Sequence, residues 1–267
     1  MSLPRLIATD LDGTLVGRDY AISRRNARAL ADATAAGLQV VLVTGRPLRW
    51  LGFAYEQLAS PYPAICANGA VDYDPVTDIV HETRPLTPEV LAEVCTRLAT
   101  VIPGIAFAVE IEGGRRMLHE PAYPAVWDDG AGEAPLSELV GHPAVKLLAR
   151  SDQCDADQLA DLVAAAVADR VEVTHSSYSG LVELSASGVT KATGLAALTE
   201  RLGIEPAEVM AFGDMPNDVP MLRWAGRGVA VANAHPAARA AADDHTLSNV
   251  DDGVAVYLER LLALSAA

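Results

Sequence analysis

The chain has 267 residues, of which 51% are apolar, so it can bury a sizeable core in one large domain or two modest ones. Its formal net charge is −15, which argues against a nucleic-acid-binding protein because such proteins present a basic surface. Asp10 interrupts the first apolar run and no uncharged apolar run reaches about 18 residues, so we expect a cytoplasmic protein with neither signal peptide nor membrane span.

The first part of the chain alternates buried strands with helices. Short apolar runs predict strands at 6–10, 38–45 and 63–69. Helices are predicted between them, at 23–37 and 47–58. Strands that alternate with helices indicate βαβ units and a parallel sheet.

The middle of the chain mixes strands and helices without this alternation. The predicted segments are hairpins at 71–86 and 105–120, a helix at 88–101, a Pro-rich irregular stretch at 121–143, strands at 144–152, 171–175 and 180–185, and a helix at 155–168. The mixture indicates a separate α+β unit.

The alternating pattern returns near residue 187. A helical segment at 187–203 precedes strands at 209–214 and 228–233, a short helix at 217–224 and further helices near 236–242 and 252–263. The sequence therefore predicts an α/β fold with a doubly wound, parallel, Rossmann-like core sheet. This core is built from residues 1–84 and 187–267, and an α+β domain is inserted at 85–186.

Polar residues follow three of the predicted core strands where each strand ends. Asp10 and Asp12 follow the first strand, Thr44 and Gly45 end the second, and Asp214 ends the strand at 209–214. Ligands of open parallel sheets bind at the carboxyl ends of the strands. If these strands are neighbours, the polar groups converge there and Asp214 faces Asp10 across a metal ion.

A second cluster of polar residues lies in VMAFGDMPNDVPML, residues 209–222. Its carboxylates, Asp214 and Asp218, repel each other, so the cluster needs a divalent cation or a lysine as counter-charge. Lys191, at the start of a predicted helix, is a candidate. Each such residue alone has a structural explanation, such as a turn, a helix cap or a solvated lysine, but their ordered combination favours a functional site.

Four motifs carry a family resemblance. DLDGT (10–14), Thr44 of VLVTGR, Lys191 of GVTKATGL and GDMPND (213–218) resemble, in this order, the motifs of the haloacid dehalogenase-like superfamily of phosphohydrolases. The insert between the second and third motifs resembles the large α+β cap of the Cof-type, sugar-phosphatase-like branch. The resemblance covers the whole core, whereas the cap is similar only in its pattern of elements.

This resemblance implies a covalent mechanism. Asp10 resembles the nucleophile that forms an aspartyl-phosphate, and Asp12 resembles the general acid and base. Mg²⁺ is the implied cofactor, with Asp10, the backbone carbonyl of Asp12 and Asp214 as its protein ligands.

The same resemblance assigns phosphate-binding groups and a substrate class. The expected phosphate contacts are the backbone N–H groups of Leu11 and Gly45 and the side chains of Thr44, Lys191 and Asn217. Asp218 is expected to support Lys191 or a metal-bound water. The implied substrate is a small phosphorylated metabolite, most simply a sugar phosphate, whose leaving group the cap recognises. Candidate cap residues for this recognition are Glu110, Arg115, Arg116, His175, Tyr178 and Glu183.

Three alternatives stay open. Phosphomutases of the phosphomannomutase type share the nucleophile, the acid and a similar cap. Receiver domains of signalling proteins also place carboxylates, Thr and Lys at strand ends, but they are small single domains whose phosphorylated Asp lies on a middle strand. A non-catalytic relative that only binds its ligand is disfavoured by the complete set of motifs. The oligomeric state does not follow from the sequence.

Overall fold

The N-terminal part of the chain supplies five strands of one sheet. The computed structural model describes residues 3–124, 130–153, 155–176 and 180–265. The elements of this part are β1 (Leu6–Thr9), α1 (Arg24–Ala35), β2 (Gln39–Val43), α2 (Gly52–Tyr55), β3 (Ala64–Cys66), β4 (Val71–Asp74) and β5 (Ile79–Thr83). Helix α1 begins after Ser23, whose hydroxyl accepts a hydrogen bond from the backbone N–H of Asn26. This side-chain cap explains why the helix starts where it does.

The helix predicted at 47–58 is not continuous. A 3₁₀ turn at Leu48–Trp50 is followed by the single helical turn of α2, which begins at Gly52. The 3₁₀ turn places Arg49 and Trp50 on the wall of a cavity described below.

The middle of the chain builds a second sheet. Its elements are α3 (Pro88–Val101), β6 (Ala106–Ile111), β7 (Arg116–His119), β8 (Gly132–Glu133), α4 (Leu136–Leu139), β9 (Ala144–Arg150), α5 (Ala156–Val167), β10 (Val171–Thr174) and β11 (Leu181–Ala186). The six strands are ordered β10-β11-β9-β6-β7-β8. Helices α3 and α5 contribute Leu91, Leu98, Leu159 and Val163 to one buried apolar cluster with this sheet. We call strands β6 to β11 the cap sheet, and this sheet together with helices α3, α4 and α5 the cap.

The C-terminal part returns to the first sheet. Its elements are α6 (Lys191–Leu202), β12 (Val209–Gly213), α7 (Val219–Trp224), β13 (Arg227–Ala230), α8 (Pro236–Ala241), β14 (Asp244–His245) and α9 (Gly253–Ser265). A 3₁₀ turn at Pro216–Asp218 leads from β12 towards α7. Among the described residues, no helix combines the length and the apolar character that a membrane crossing requires.

Strand order explains how the polar motifs come together. The first sheet is ordered β14-β13-β12-β1-β2-β3-β4-β5, and β1 pairs in parallel with both β12 and β2. The strands that precede Asp10, Thr44 and Asp214 are therefore adjacent, as their predicted convergence requires. The predicted fold, an α/β core with an α+β insert, is confirmed: the core sheet is parallel from β14 to β3, and β4 and β5 pair antiparallel at one edge. The exact domain limits at residues 84 and 187 stay predictions.

Candidate active site

The buried lysine of α6 links two of the sequence motifs. The Nζ atom of Lys191 donates to Oδ1 of Asp10 and to Oδ1 of Asp218, each at 2.6 Å. Thr190 caps this helix, and Gly69 lies against it so closely that an added Cβ would meet the carbonyl oxygen of Thr190 at 2.0 Å. Glycine at 69 thus lets the start of α6 approach the sheet and bring Lys191 to Asp10.

Asp214 occupies a tight position beside the first motif. Its Oδ1 accepts a hydrogen bond of 2.9 Å from the hydroxyl of Thr14. Gly13, at φ +83°, lies so near that an added Cβ would come within 2.3 Å of Oδ2 of Asp214. A side chain at 13 would therefore displace this carboxylate, which accounts for the Gly in DLDGT.

Asp218 holds the loop after β12 in place. Its Oδ2 accepts from the backbone N–H groups of Asp214 and Met215, both at 2.9 Å, while its Oδ1 accepts from Lys191. Both carboxylate oxygens are thus engaged by the protein. This geometry favours the predicted supporting role of Asp218 over direct chemistry.

The charges of this cluster are unbalanced. Oxygen atoms of Asp10, Asp214 and Asp218 all lie within 4.8 Å of one another, and the three side chains are buried. Burial raises the pKa of Asp10 well above its ordinary value; Lys191 opposes this increase, whereas Asp218 and Asp214 add to it. Burial, followed by the charge of Asp218, raises the pKa of Asp214 to about 7.

These features fit a hard divalent cation. Burial lowers the pKa of Lys191, but Asp10 and Asp218 outweigh this and raise it above the ordinary value, so the ammonium stays charged. One ammonium does not neutralise three buried carboxylates, and their oxygens are the donors that Mg²⁺ prefers. Asp10 and Asp214 are the carboxylates of the predicted metal set that belong to this cluster. The predicted carbonyl ligand belongs to Asp12.

The residues predicted to contact phosphate are Leu11, Thr44, Gly45, Lys191 and Asn217. Thr44 is fully buried, and its hydroxyl oxygen accepts from the backbone N–H of Arg46 at 3.0 Å. Gly45 and Asn217 line the cavity next to Asp10. Leu11 follows Asp10 directly and is buried. The assignment of these residues to phosphate oxygens stays a prediction.

Arg46 is a residue that the sequence analysis missed. Its guanidinium binds Asp12 in a fork, with Nε–Oδ2 at 2.7 Å and Nη2–Oδ1 at 2.6 Å. The ring of Phe53 lies 4.1 Å from the guanidinium carbon and the ring of Tyr20 lies 5.5 Å from it. Arg46 therefore orients Asp12. The signal was available, because Arg46 directly follows the Thr44-Gly45 pair at a strand end.

A cavity of about 910 Å³ opens above these groups and is lined by both sheets. Its core side includes Asp10, Asp12 and Asp214, and its cap side includes Glu110, Lys146 and Glu183. Glu110 is ion-paired with Arg49, and Glu183 is ion-paired with Lys146 at 2.8 Å. Lys146 was another residue that the sequence analysis did not single out.

The cap candidates from the sequence separate into two groups. Glu110 and Glu183 line the cavity. Arg115 instead pairs with Asp78 at 3.3 Å, Arg116 pairs with Glu112 at 3.5 Å, and Nε2 of His175 lies 2.9 Å from Oδ1 of Asp157. Tyr178 lies outside the described residues.

Comparisons with known proteins identify the family of this chain. The model of the haloacid dehalogenase-like hydrolase family matches residues 7–258. The chain belongs to this family. It also carries the predicted features of the Cof-type branch, so the resemblance drawn from the four motifs is confirmed.

Three similar proteins illustrate the range of the family. The 5-amino-6-(5-phospho-D-ribitylamino)uracil phosphatase YitU of Bacillus subtilis is 29% identical, over 98% of each chain. A phosphoglycolate phosphatase of Methanopyrus kandleri is 30% identical, over 96% of this chain and 97% of its own. The crystal structure of SMU.1108c from Streptococcus mutans has a TM-score of 0.84 at 22% identity, covering 98% of this chain and 100% of its own, and supports the fold.

These findings establish the class of reaction. The protein is a phosphoric monoester hydrolase of the haloacid dehalogenase-like family, as predicted. The relatives agree on the phosphate ester and differ in the group to which the phosphate is attached. The substrate of this chain therefore has to be argued from its own cavity.

Proposed function

We propose that this hydrolase is a Mg²⁺-dependent phosphatase that hydrolyses a small sugar phosphate through an aspartyl-phosphate on Asp10. The observation that carries the proposal is that Asp10 and Asp214, at adjacent strand ends, and Lys191, at the start of α6, converge beneath one cavity. Bound Mg²⁺, held by Asp10, Asp214 and the carbonyl of Asp12, would neutralise negative charge on the phosphoryl group.

Asp10 and Asp12 divide the chemical work in two steps. In the first, a carboxylate oxygen of Asp10 attacks phosphorus, the bond to the leaving oxygen breaks, and Asp12 gives that oxygen a proton. In the second, Asp12 takes a proton from water, whose oxygen attacks phosphorus and releases inorganic phosphate from Asp10. Arg46 binds both carboxylate oxygens of Asp12, so one of these two hydrogen bonds has to open before Asp12 carries the proton that it gives to the leaving oxygen.

The other polar groups stabilise the phosphoryl oxygens. Lys191 supplies a positive charge 2.6 Å from Oδ1 of the nucleophile, and Thr44 and Asn217 supply neutral donors. The backbone N–H groups of Leu11 and Gly45 complete the set. Phosphoryl transfer depends mainly on positioning and charge stabilisation, so several modest contacts acting together suit this reaction.

The cavity favours a polyhydroxylated leaving group. Its cap side carries both carboxylates and cations, which accept from and donate to hydroxyl groups, and its core side carries the rings of Tyr20, Trp50 and Phe53. Aromatic faces and paired polar groups suit the C–H faces and hydroxyls of a sugar or sugar alcohol. The name of the B. subtilis relative includes a phosphorylated ribityl chain, which is consistent with this class.

A panel of phosphorylated metabolites tests the proposal. We expect Mg²⁺-dependent release of inorganic phosphate, fastest with sugar phosphates, and no release in excess chelator. The variant Asp10→Asn, purified in the same way, controls for a contaminating phosphatase. An isomerised sugar phosphate would instead indicate a phosphomutase, and a long-lived phosphorylated protein without turnover would indicate a signalling module. A cytoplasmic location remains a prediction.

A further inference from the structure

Glu183 of β11 connects the cap sheet to the core. This carboxylate is buried and accepts hydrogen bonds from Nζ of Lys146 at 2.8 Å, from the hydroxyl of Ser176 at 2.5 Å and from Nδ2 of Asn68. Lys146 and Ser176 belong to the cap, whereas Asn68 belongs to the loop after β3 of the core sheet. A cap residue thus holds a core side chain directly.

Asn68 connects Glu183 to Asn217, one of the residues predicted to bind phosphate. Its Oδ1 accepts from Nδ2 of Asn217 at 3.1 Å. Gly45 lies between these groups, because an added Cβ there would be 3.1 Å from Oδ1 of Asn68, 3.4 Å from Oε2 of Glu183 and 3.5 Å from Nδ2 of Asn217. Lys146 also donates to the carbonyl of Gly45 at 2.5 Å.

The chemistry of the first residue determines the direction of this chain of hydrogen bonds. An ionised carboxylate only accepts, whereas an amide has a donating NH₂ and an accepting oxygen. Glu183 therefore attracts the NH₂ group of Asn68, which leaves the Asn68 oxygen facing Asn217. That oxygen in turn attracts the NH₂ group of Asn217. Burial raises the pKa of Glu183, but Lys146 and the hydrogen bonds from Lys146, Ser176 and Asn68 together hold it below the ordinary value, which keeps the carboxylate ionised.

We propose that Glu183 is a positioning residue for the phosphate site, which acts through Asn68 to determine which end of the Asn217 amide faces the substrate. The inference rests on the proposed phosphatase function. The NH₂ group of Asn217 has two hydrogens, one of which binds Asn68 while the other is the donor proposed for a phosphate oxygen. If the amide were reversed, its oxygen would face the phosphate and repel it.

This role differs from recognition of the leaving group, although Glu183 also lines the cavity. A residue that recognises the leaving group changes the relative rates of different substrates. Substitution of a residue that orients a phosphate-binding donor changes the hydrolysis rates of all substrates by a similar factor. It also changes the affinity for inorganic phosphate, which has no leaving group. The two roles are therefore separable by experiment.

The main test is E183Q, which has the same shape but can present either a donor or an acceptor to Asn68. We expect kcat/KM to fall about tenfold or more, by a similar factor for p-nitrophenyl phosphate and for a sugar phosphate. Inhibition by inorganic phosphate should weaken in parallel. The matched control is E110Q, which alters the other buried glutamate of the cap wall, the one paired with Arg49. E110Q should change the relative rates of different substrates, with little change in the inhibition by inorganic phosphate.

A rescue experiment tests the direction of the hydrogen bonds. In the double variant E183Q/N68D, the new carboxylate at position 68 accepts from both Asn217 and the new amide at position 183, and the total charge of the pair is unchanged. We expect the activity and the phosphate affinity of the double variant to be several-fold higher than those of E183Q. N68D alone should be worse than the double variant, because it sets two carboxylates against each other. A simple loss of packing would show no such rescue.

One further variant keeps the test independent of the folding of E183Q. Asn68 has a positive φ of 57°, so Asn68→Gly removes the side chain without backbone strain, and it should weaken phosphate inhibition as E183Q does. The inference is overturned if E183Q changes the substrate ranking but not phosphate inhibition, or if the double variant is no better than E183Q. If the wild type hydrolyses no ester, the proposed function fails by itself, and calorimetric binding of inorganic phosphate with Mg²⁺ still tests Glu183.

Discussion

The core and cap sides of the cavity handle charge in opposite ways. On the core side, Lys191 binds Asp10 and Asp218, and Asp214 lies in the same buried cluster, so one cation faces three carboxylates. On the cap side each buried carboxylate has its own cation, Arg49 for Glu110 and Lys146 for Glu183. Uncompensated negative charge attracts a metal ion, which would neutralise charge on the phosphoryl group. A paired carboxylate instead orients the side chains that donate hydrogen bonds to it. The core thus suits chemistry and the cap suits recognition and positioning.

Replacing the nucleophile should produce the largest effect. Asp10→Asn removes the attacking oxygen, so we expect kcat to fall on the order of 10⁴-fold or more. Thermal unfolding should change little or shift upward, because the variant relieves repulsion among buried carboxylates. Substantial residual turnover by a verified preparation would rule out covalent catalysis at this residue.

Removing a metal ligand should have the next largest effect. We expect Asp214→Ala to weaken Mg²⁺ binding on the order of 10²-fold or more, as a direct ligand should cost at least as much as an outer-shell partner. Asp12→Ala, the control, should weaken it far less because Asp12 is expected to contribute its carbonyl. Titration calorimetry with Mg²⁺ measures both. Equal affinities in the two variants would contradict the proposed ligand set.

The charge imbalance of the core predicts a pH dependence of metal binding. With the pKa of Asp214 raised to about 7, a proton competes with Mg²⁺ below that pH, so the apparent Mg²⁺ affinity should fall up to about tenfold per pH unit. In the metal-free protein, a raised carboxyl pKa contributes stability that is fully present below the unfolded value of 3.8 and is lost as the pH rises through about 7.

Thermal unfolding with and without Mg²⁺ measures this dependence. The stabilisation by Mg²⁺ should therefore be larger at pH 8 than at pH 5.5. Asp214→Asn, which cannot titrate, should show a flatter profile. Identical stabilisation at both pH values would mean that Asp214 does not exchange a proton for the metal.

The smallest effects should come from residues of the cap side of the cavity other than Glu183. Glu110→Ala and Arg150→Ala alter residues that line it, so each should change the ranking of sugar phosphates by about three- to tenfold while inhibition by inorganic phosphate stays nearly constant. The control is Arg115→Ala, whose exposed side chain pairs with Asp78 on the β4–β5 hairpin. If the control changes the ranking as much as the two test variants do, the cavity wall is not where selectivity resides.

The sequence alone was sufficient for the core because its signals are local. Each core strand is a short apolar run, and the polar residues that matter directly follow such a run, as Asp10 and Asp214 do. Neighbouring parallel strands have their carboxyl ends at the same edge of the sheet, so the polar residues at those ends lie close together and form a candidate site. The helix predicted at 47–58 was wrong in its extent, because the chain forms a 3₁₀ turn at Leu48–Trp50 and then only the short helix α2.

Only the tertiary structure revealed which groups meet across the cavity. Asn68 and Glu183 are 115 positions apart, and Lys146 reaches Gly45 over 101 positions. No periodicity or spacing encodes such pairs, because they depend on how the cap sheet packs over the core. The sequence by itself determined the α/β core, its inserted domain and the residues at the strand ends, since these follow from apolar patterning and turns. The packing of the tertiary structure determined the hydrogen-bond chain from Glu183 to Asn217 and the forked ion pair between Arg46 and Asp12. Side chains bind the groups that packing brings within hydrogen-bond distance, and distance along the sequence does not determine these groups.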